Sequence, residues 1–259
     1  MASSPIRREH ARARRTLGQN FLADPQAAQR IAEAAVPGRN ALVYEVGAGR
    51  GRLTTALLPL CGRLVAYEID AEMAAHLPRH PRLRVRTEDF LAASPPGESF
   101  AVAGNIPYAL TAAVVRWCLA APTLRRATLL TQLEYARKRT GDYGRWSRLT
   151  VLTWPEFGWS LAGRVPRAAF RPAPRVDGGI LQLERRPVPL VRPAQMPAWR
   201  RLVEDGFTGR GGSLHAGLVH RFGRRAEGAA RAARLGADVP VGEVWPEQWL
   251  TLFRLLSPR

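Results

Sequence analysis

Cysteine is scarce in this 259-residue chain: Cys61 and Cys118 are the only two, so no disulfide framework can be built. Both lie in apolar stretches, where a free thiol behaves as a small core residue, and a cytoplasmic protein is the expectation. No apolar run approaches the roughly 18 to 20 residues that a bilayer requires, which argues against a membrane-spanning class. Lysine is represented by Lys138 alone, yet 39 basic residues face 21 acidic ones and leave a net charge of +18. That field favours a polyanion as partner, nucleic acid first. An anionic membrane surface would instead call for a basic amphipathic segment with a broad apolar face, and none stands out. Arginine stacks on bases and forks onto phosphates, although a G+C-rich genome produces the same bias. Five arginines fall before residue 16 with no apolar stretch behind them, so residues 1–15 read as a basic, flexible arm and not as a secretory signal.

What is present has an order. No repeat with a period of 20 to 50 residues is visible, which leaves solenoids and propellers unsupported. Asp24-Pro25 opens a helical pattern that Pro37-Gly38 closes. Short apolar runs then alternate with helical ones, giving strands at 41–46, 63–69, 83–89, 99–105 and 126–133. Strands separated by helices of about ten residues imply right-handed βαβ units and a parallel sheet. Residues 149–163 and 178–186 look β-rich and flank a proline-dense loop, as antiparallel strands closing a sheet edge would. Beyond Pro187 a linker leads into a helical remainder. The expectation is a basic arm at 1–15, an α/β Rossmann-like domain at 16–186 and a small helical domain at 187–259.

The chemistry gathers at the predicted strand ends. The first strand of the alternating series runs into Glu45-Val46-Gly47-Ala48-Gly49-Arg50-Gly51, and glycines at a strand-to-helix turn let backbone N–H groups approach a nucleotide-like cofactor. The spacing G-x-G-x-G with a preceding acid departs from the dinucleotide fingerprint toward the form found in S-adenosylmethionine sites. Glu68 lies 21 positions after Gly47, where an acid can take ribose hydroxyls, and Asp89 ends the next strand and can face an adenine amino group. Either could instead be a helix N-cap or a solvated strand end. Asn105-Ile106-Pro107-Tyr108 follows the fourth strand, and Pro107 forces an extended backbone at Ile106. An amide beside an aromatic face can recognise a flipped base, whereas an Asn-Pro turn with a packed Tyr is the plainer alternative.

Six segments carry a family likeness: TLGQNFL (16–22), EVGAGRG (45–51), EDFL (88–91), GNIPY (104–108), RKRTGDYGRWS (137–147) and VPRAAFRPAPRVDGGIL (165–181). In this order they resemble the erythromycin-resistance rRNA adenine N6-methyltransferases, the Erm family, and TGRGGSLHAGL (208–218) adds to the likeness. The resemblance implies a Rossmann-like methyltransferase domain followed by a helical one, with S-adenosylmethionine as methyl donor. It implies that Gln19, Asn20 and Leu22 border the cofactor, Gly47 lies under it, Glu68 holds its ribose and Asp89 faces its adenine. Asn105 would sit between cofactor and target, with Tyr108 stacking on the flipped adenine and Phe170 approaching it from another side; Pro107 is counted with them in the catalytic set. Arg137, Lys138 and Arg139 would follow the fifth strand in a loop and track RNA phosphates. No metal and no enzyme nucleophile is needed, because a sulfonium is already a methyl donor and the site has only to orient the amine. The implied partner is large-subunit (23S) rRNA before full subunit assembly, bound by a monomer, with resistance to macrolide-type antibiotics as the outcome. The small-subunit rRNA adenine dimethylases share fold and motifs, but the RKRTGDYGRWS segment looks more Erm-like. A non-catalytic RNA-binding protein on the same fold is the other alternative; intact glycines, Glu68, Asp89 and Asn105 argue against it.

Overall fold

The computed structural model describes residues 20–208 and 213–257. The chain divides into two compact units, one made of residues up to Ala136 together with Leu161–Glu184, the other of Arg137–Ser160 together with Arg185–Arg259.

The first unit is built on strands β1 (Phe21–Leu22), β2 (Leu42–Val46), β3 (Arg63–Tyr67), β4 (Leu83–Arg86), β5 (Phe100–Asn105) and β6 (Leu124–Gln132). Between them run helices α1 (Pro25–Ala35), α2 (Arg52–Leu57), α3 (Ala71–Ala75) and α4 (Thr111–Ala120); α5 (Leu133–Arg139) and α6 (Arg148–Thr153) follow, then β7 (Phe157–Val165), β8 (Phe170–Arg171) and β9 (Gly178–Arg185). The main sheet has the order β4-β3-β2-β5-β6-β9-β7. Strands β2 to β6 pair in parallel, and β9 is antiparallel to β6. The chain leaves β2 first toward β3 and β4, then returns to lay β5 on the other side, so the sheet switches direction between β2 and β5. A crevice outside the carboxyl ends of such strands is where open α/β sheets bind ligands.

Burial on both faces accounts for the continuous apolar character of the central strands: Ala101, Val102 and Ala103 of β5 are fully buried. Helix α1 begins where expected, Asp24 accepting a hydrogen bond from the Gln26 backbone N–H at 2.8 Å. Its Ala27, Ala28, Ile31, Ala32 and Ala35 recur at helical spacing and are buried together. Near its other end, the Ala34 carbonyl accepts from Gln182 Nε2 at 2.7 Å, which ties the helix to the sheet. The two-residue strands β1 and β8 pair antiparallel, Leu22 opposite Phe170.

The second unit is helical, with α7 (Met196–Thr208), α8 (Leu214–Phe222), α9 (Arg224–Ala232) and α10 (Pro246–Leu256). Its core holds Trp146, Val151, Trp199, Leu202, Leu214, Trp249 and Phe253. Residues 149–153, expected as strand, form α6 instead. Ser147 caps it by accepting from the Thr150 N–H at 3.2 Å, Thr150 and Val151 are fully buried, and Trp199 Nε1 bonds to the Leu152 carbonyl at 3.0 Å. Helix-to-helix packing overrides the β-branched preference there. The expected division at 186/187 is also too simple, because 137–160 belongs with the helical unit through that packing.

Candidate active site

At the carboxyl ends of β2, β3 and β5, within the first unit, lies a cavity of about 260 Å³. Its walls include Asn20, Leu22, Glu45, Gly47, Glu68, Asp89, Asn105, Pro107, Tyr108 and Phe170. All the cavity residues expected from sequence that fall among the described residues are thus brought together; Gln19 lies outside them.

The turn after β2 explains its glycines. Gly47, Gly49 and Gly51 have φ of +67°, +55° and +76°, a region open to glycine at little cost. A Cβ at Gly49 would also sit 3.3 Å from the Phe21 ring. The Gly47 and Ala48 N–H groups bond to the Tyr67 carbonyl at 2.9 and 3.1 Å, and the Gly49 N–H bonds to Glu68 Oε2 at 2.7 Å. Glu68 Oε1 accepts from the Asp70 N–H at 3.0 Å. Both carboxylate oxygens of Glu68 are therefore aimed by backbone groups, yet each keeps acceptor capacity for a hydroxyl. Glu68 stands one residue beyond β3, and Asp89 three beyond β4. Asp89 does cap a short turn, accepting from the Leu91 N–H at 2.9 Å, while also lining the cavity.

Glu45 carries a feature that sequence reasoning noted only as the acid before the glycines. It is 1% exposed, and its Oε2 has no hydrogen-bond partner among the described residues. Burial pushes its carboxyl up to about 7; Thr54 draws it down to a lesser degree, and the charge of Glu68 adds to the rise. An acid inside an otherwise apolar strand is the sequence signal. Ile69 was missed as well: it is 63% exposed beside Glu68 and lines the cavity.

On the facing side, Asn105 ends β5. Its Nδ2 donates to the Asn20 carbonyl at 3.0 Å, which fixes the amide and leaves Oδ1 as the acceptor. Pro107 (φ −54°) then turns the chain into a short 3-10 turn over Tyr108–Leu110. The Tyr108 hydroxyl is buried without a hydrogen-bond partner among the described residues, and burial, with a contribution from Asp177, holds its pKa above the ordinary phenol value. Phe170 is 1% exposed and reaches the cavity from β8. The loop after it is tied down by Asp177, which accepts from the Arg167 N–H at 2.8 Å and pairs with Arg164; these bonds hold the carboxyl below the usual range.

Arg137, Lys138 and Arg139 do not lie in a loop. They form the last turn of α5, in a seven-residue LEYARKR helix whose residues favour helix directly after the strand. Basic groups there also suit the helix dipole. Arg137 pairs with Asp142 and with the Tyr143 hydroxyl, Arg139 donates to Ser147 Oγ at 2.7 Å, and Lys138 is exposed.

Comparison with known proteins meets this geometry. The family model for ribosomal RNA adenine dimethylase matches residues 10–257. The chain belongs to this family. An rRNA adenine N-6-methyltransferase of Streptomyces fradiae is 56% identical over 255 residues, 95% of this chain and 80% of that protein. The mycinamicin-resistance protein MyrB of Micromonospora griseorubida is 34% identical, over 97% of this chain and 85% of its own. Among solved structures, the 23S rRNA methyltransferase ErmE is similar with a TM-score of 0.89 at 47% identity, covering 92% of this chain and 99% of that one. The family member described here therefore has the Rossmann-like fold expected of it.

Proposed function

We propose that this chain transfers a methyl group from S-adenosylmethionine to N6 of a specific adenine in large-subunit (23S) rRNA, and that the modification confers resistance to macrolide-type antibiotics. The observation that carries the reading is that the Asn105-Ile106-Pro107-Tyr108 turn opens onto the same cavity as Gly47, Glu68 and Asp89.

The donor set fits the cofactor. Glu68 offers acceptor capacity to ribose hydroxyls, Asp89 an acceptor to an adenine amine, Asn20 and Leu22 a border, and the turn at Gly47 an approach with no side chain in the way. Glu45 adds a buried carboxyl whose Oε2 has no hydrogen-bond partner among the described residues. When bound, S-adenosylmethionine supplies an electrophilic methyl on a sulfonium. No nucleophile on the enzyme is required, so the residues here orient and polarise.

Asn105 Oδ1 accepts from the target amine. Its drawing on an N6 hydrogen favours tetrahedral geometry at a nitrogen whose lone pair is otherwise delocalised into the ring. The face of Tyr108 stacks on the flipped adenine, and Phe170 closes another side. The proton acidified by transfer leaves to water. Arg137, Lys138 and Arg139 contact RNA phosphates. An unpaired adenine in a looped segment costs least to flip, which supports a loop target. The protein acts as a cytoplasmic monomer on rRNA before full subunit assembly. No helix among the described residues is long and apolar enough to cross a membrane.

Tritium transfer from labelled S-adenosylmethionine to naked 23S rRNA, to small-subunit rRNA and to assembled subunits tests this reading. Labelling of naked 23S rRNA, with a raised macrolide inhibitory concentration in a sensitive bacterium expressing the protein, is the expected result. Transfer to small-subunit rRNA would overturn it.

A further inference from the structure

Between α5 and α6 in the second unit, the segment Gly141-Asp142-Tyr143-Gly144 presents a large ring to solvent. Tyr143 is 66% exposed and has φ +72°, ψ +14°, a left-handed conformation uncommon for a bulky side chain. Gly141 and Gly144 on either side have φ of +70° and +66°. Turn chemistry alone would favour Gly or Asn at the middle position. The ring does not serve the core of the unit, to which Trp146, three residues on, contributes a buried aromatic. Trp146 also packs closely under Gly141, where a Cβ would collide with its ring.

One cation lies directly against the exposed ring. The Arg137 guanidinium lies 4.3 Å from its centroid, bonds to its hydroxyl and pairs with Asp142. Arg145 is 78% exposed and only 3.6 Å from Glu243. Residues 137–148 carry five cations, Arg137, Lys138, Arg139, Arg145 and Arg148, and one acid, Asp142; Arg145 and Arg148 pair with Glu243 and Glu204 from elsewhere in the unit. An aromatic face backed by an arginine, in an arginine-rich segment, is what an unpaired nucleotide stacks on, with phosphates neutralised beside it.

We propose that Tyr143, fixed by Arg137 and flanked by Arg145, is a stacking site for an unpaired base of the RNA substrate, a contact on the second unit additional to the adenine pocket. The proposal rests on the RNA reading above. Arg137 occupies one side of the ring and a base stacks on its exposed face, while Arg145 offers its charge to the adjoining phosphate.

The test uses the full chain and a stem-loop fragment of 23S rRNA with 2-aminopurine at loop positions flanking the target adenine. Tyr143→Gly removes the ring and suits the left-handed backbone; Tyr143→Phe keeps the ring. Tyr143→Gly is expected to weaken RNA binding about 5- to 140-fold, the range that loss of one base–aromatic stack converts to. The slope of log affinity against log salt should stay unchanged, because no counterion is released by stacking, and the 2-aminopurine quenching at one flanking position should disappear. Tyr143→Phe should stay within about threefold of the parent, and both variants should keep the parent's cofactor affinity and melting temperature. Parent-like RNA binding by Tyr143→Gly would overturn the stacking site alone, as would equal losses in Gly and Phe variants. Failure of the unsubstituted protein to bind the fragment would overturn the RNA reading itself.

Discussion

At the scale of single residues, the cavity separates groups that bind from groups that act. Asn105 is held by the Asn20 carbonyl, so its amide oxygen is set before any ligand arrives. Asn105→Ala should therefore leave the cofactor dissociation constant within about tenfold while cutting single-turnover methyl transfer by some 10² or more, the loss of a transition-state hydrogen bond of roughly 2.7–4 kcal/mol. Near-parental single-turnover rates would remove Asn105 from the mechanism. Glu45 makes a different prediction. Its carboxyl, raised from 4.5 to about 7, keeps its proton in the folded state over a range in which the unfolded chain has lost it. Folding then takes up a proton, and the stability this group contributes falls as pH rises from 4.5 through 7, by on the order of 3 kcal/mol in total. Glu45→Gln removes that dependence. The variant should gain melting temperature relative to the parent at pH 8 compared with pH 5; a difference independent of pH would show that Glu45 does not titrate in this window.

At the scale of elements, what could be read from sequence followed what was local. Asp24-Pro25 capped α1 as expected because a cap is a contact between residues two apart. The strands β2, β3, β5 and β6 were visible because burial leaves apolar runs in them, whereas the edge strand β4, LRVR, was visible as an alternation of apolar and charged residues. Helix α6 was not, since LTVLT has strand-like propensity and only distant partners such as Trp199 make it a helix. Asp89 carried both of the roles weighed for it, cap and cavity wall, which spacing alone could not separate. The lining role of Ile69 required knowing where the cavity opens. Glycines within helices show the same dependence on distant partners. In α7, a Cβ at Gly206 would collide with the Trp249 ring and come 2.7 Å from Leu214 Cδ1, whereas Gly228 in α9 faces open space. Gly206→Ala should lower the melting temperature, overpacking costing about 1–3 kcal/mol against a smaller propensity gain. Gly228→Ala should raise it, by roughly 0.5–1 kcal/mol of stability. Similar shifts in the two variants, measured by calorimetry, would mean that the α7–α10 contact yields freely.

At the scale of the whole molecule, the chain leaves its first unit at Ala136, enters the second, returns at Leu161 and departs again after Glu184. A contiguous division at residue 186 missed this because nothing in local composition marks a segment whose packing partners lie fifty residues downstream. The excursion matters for the net charge of +18, since Arg137, Lys138 and Arg139 belong to it. Two of the three are already engaged, Arg137 with Asp142 and Tyr143, Arg139 with Ser147, while Lys138 is exposed. Counterion release gives a slope of about 0.7 per phosphate contact on single-stranded RNA. Lys138→Gln should flatten the salt dependence of RNA binding by about 0.7 and do little else. Replacing all three by Gln should flatten it by about 2 at most, and should cost more affinity than that slope accounts for, because Arg137 also holds Tyr143. Removing residues 1–11 should have a smaller effect than the triple replacement, since it takes away only Arg7 and Arg8. Filter-binding titrations from low to physiological salt, with cofactor affinity measured in parallel, decide between these outcomes: a slope unchanged in the triple variant would place the RNA phosphates elsewhere on the molecule.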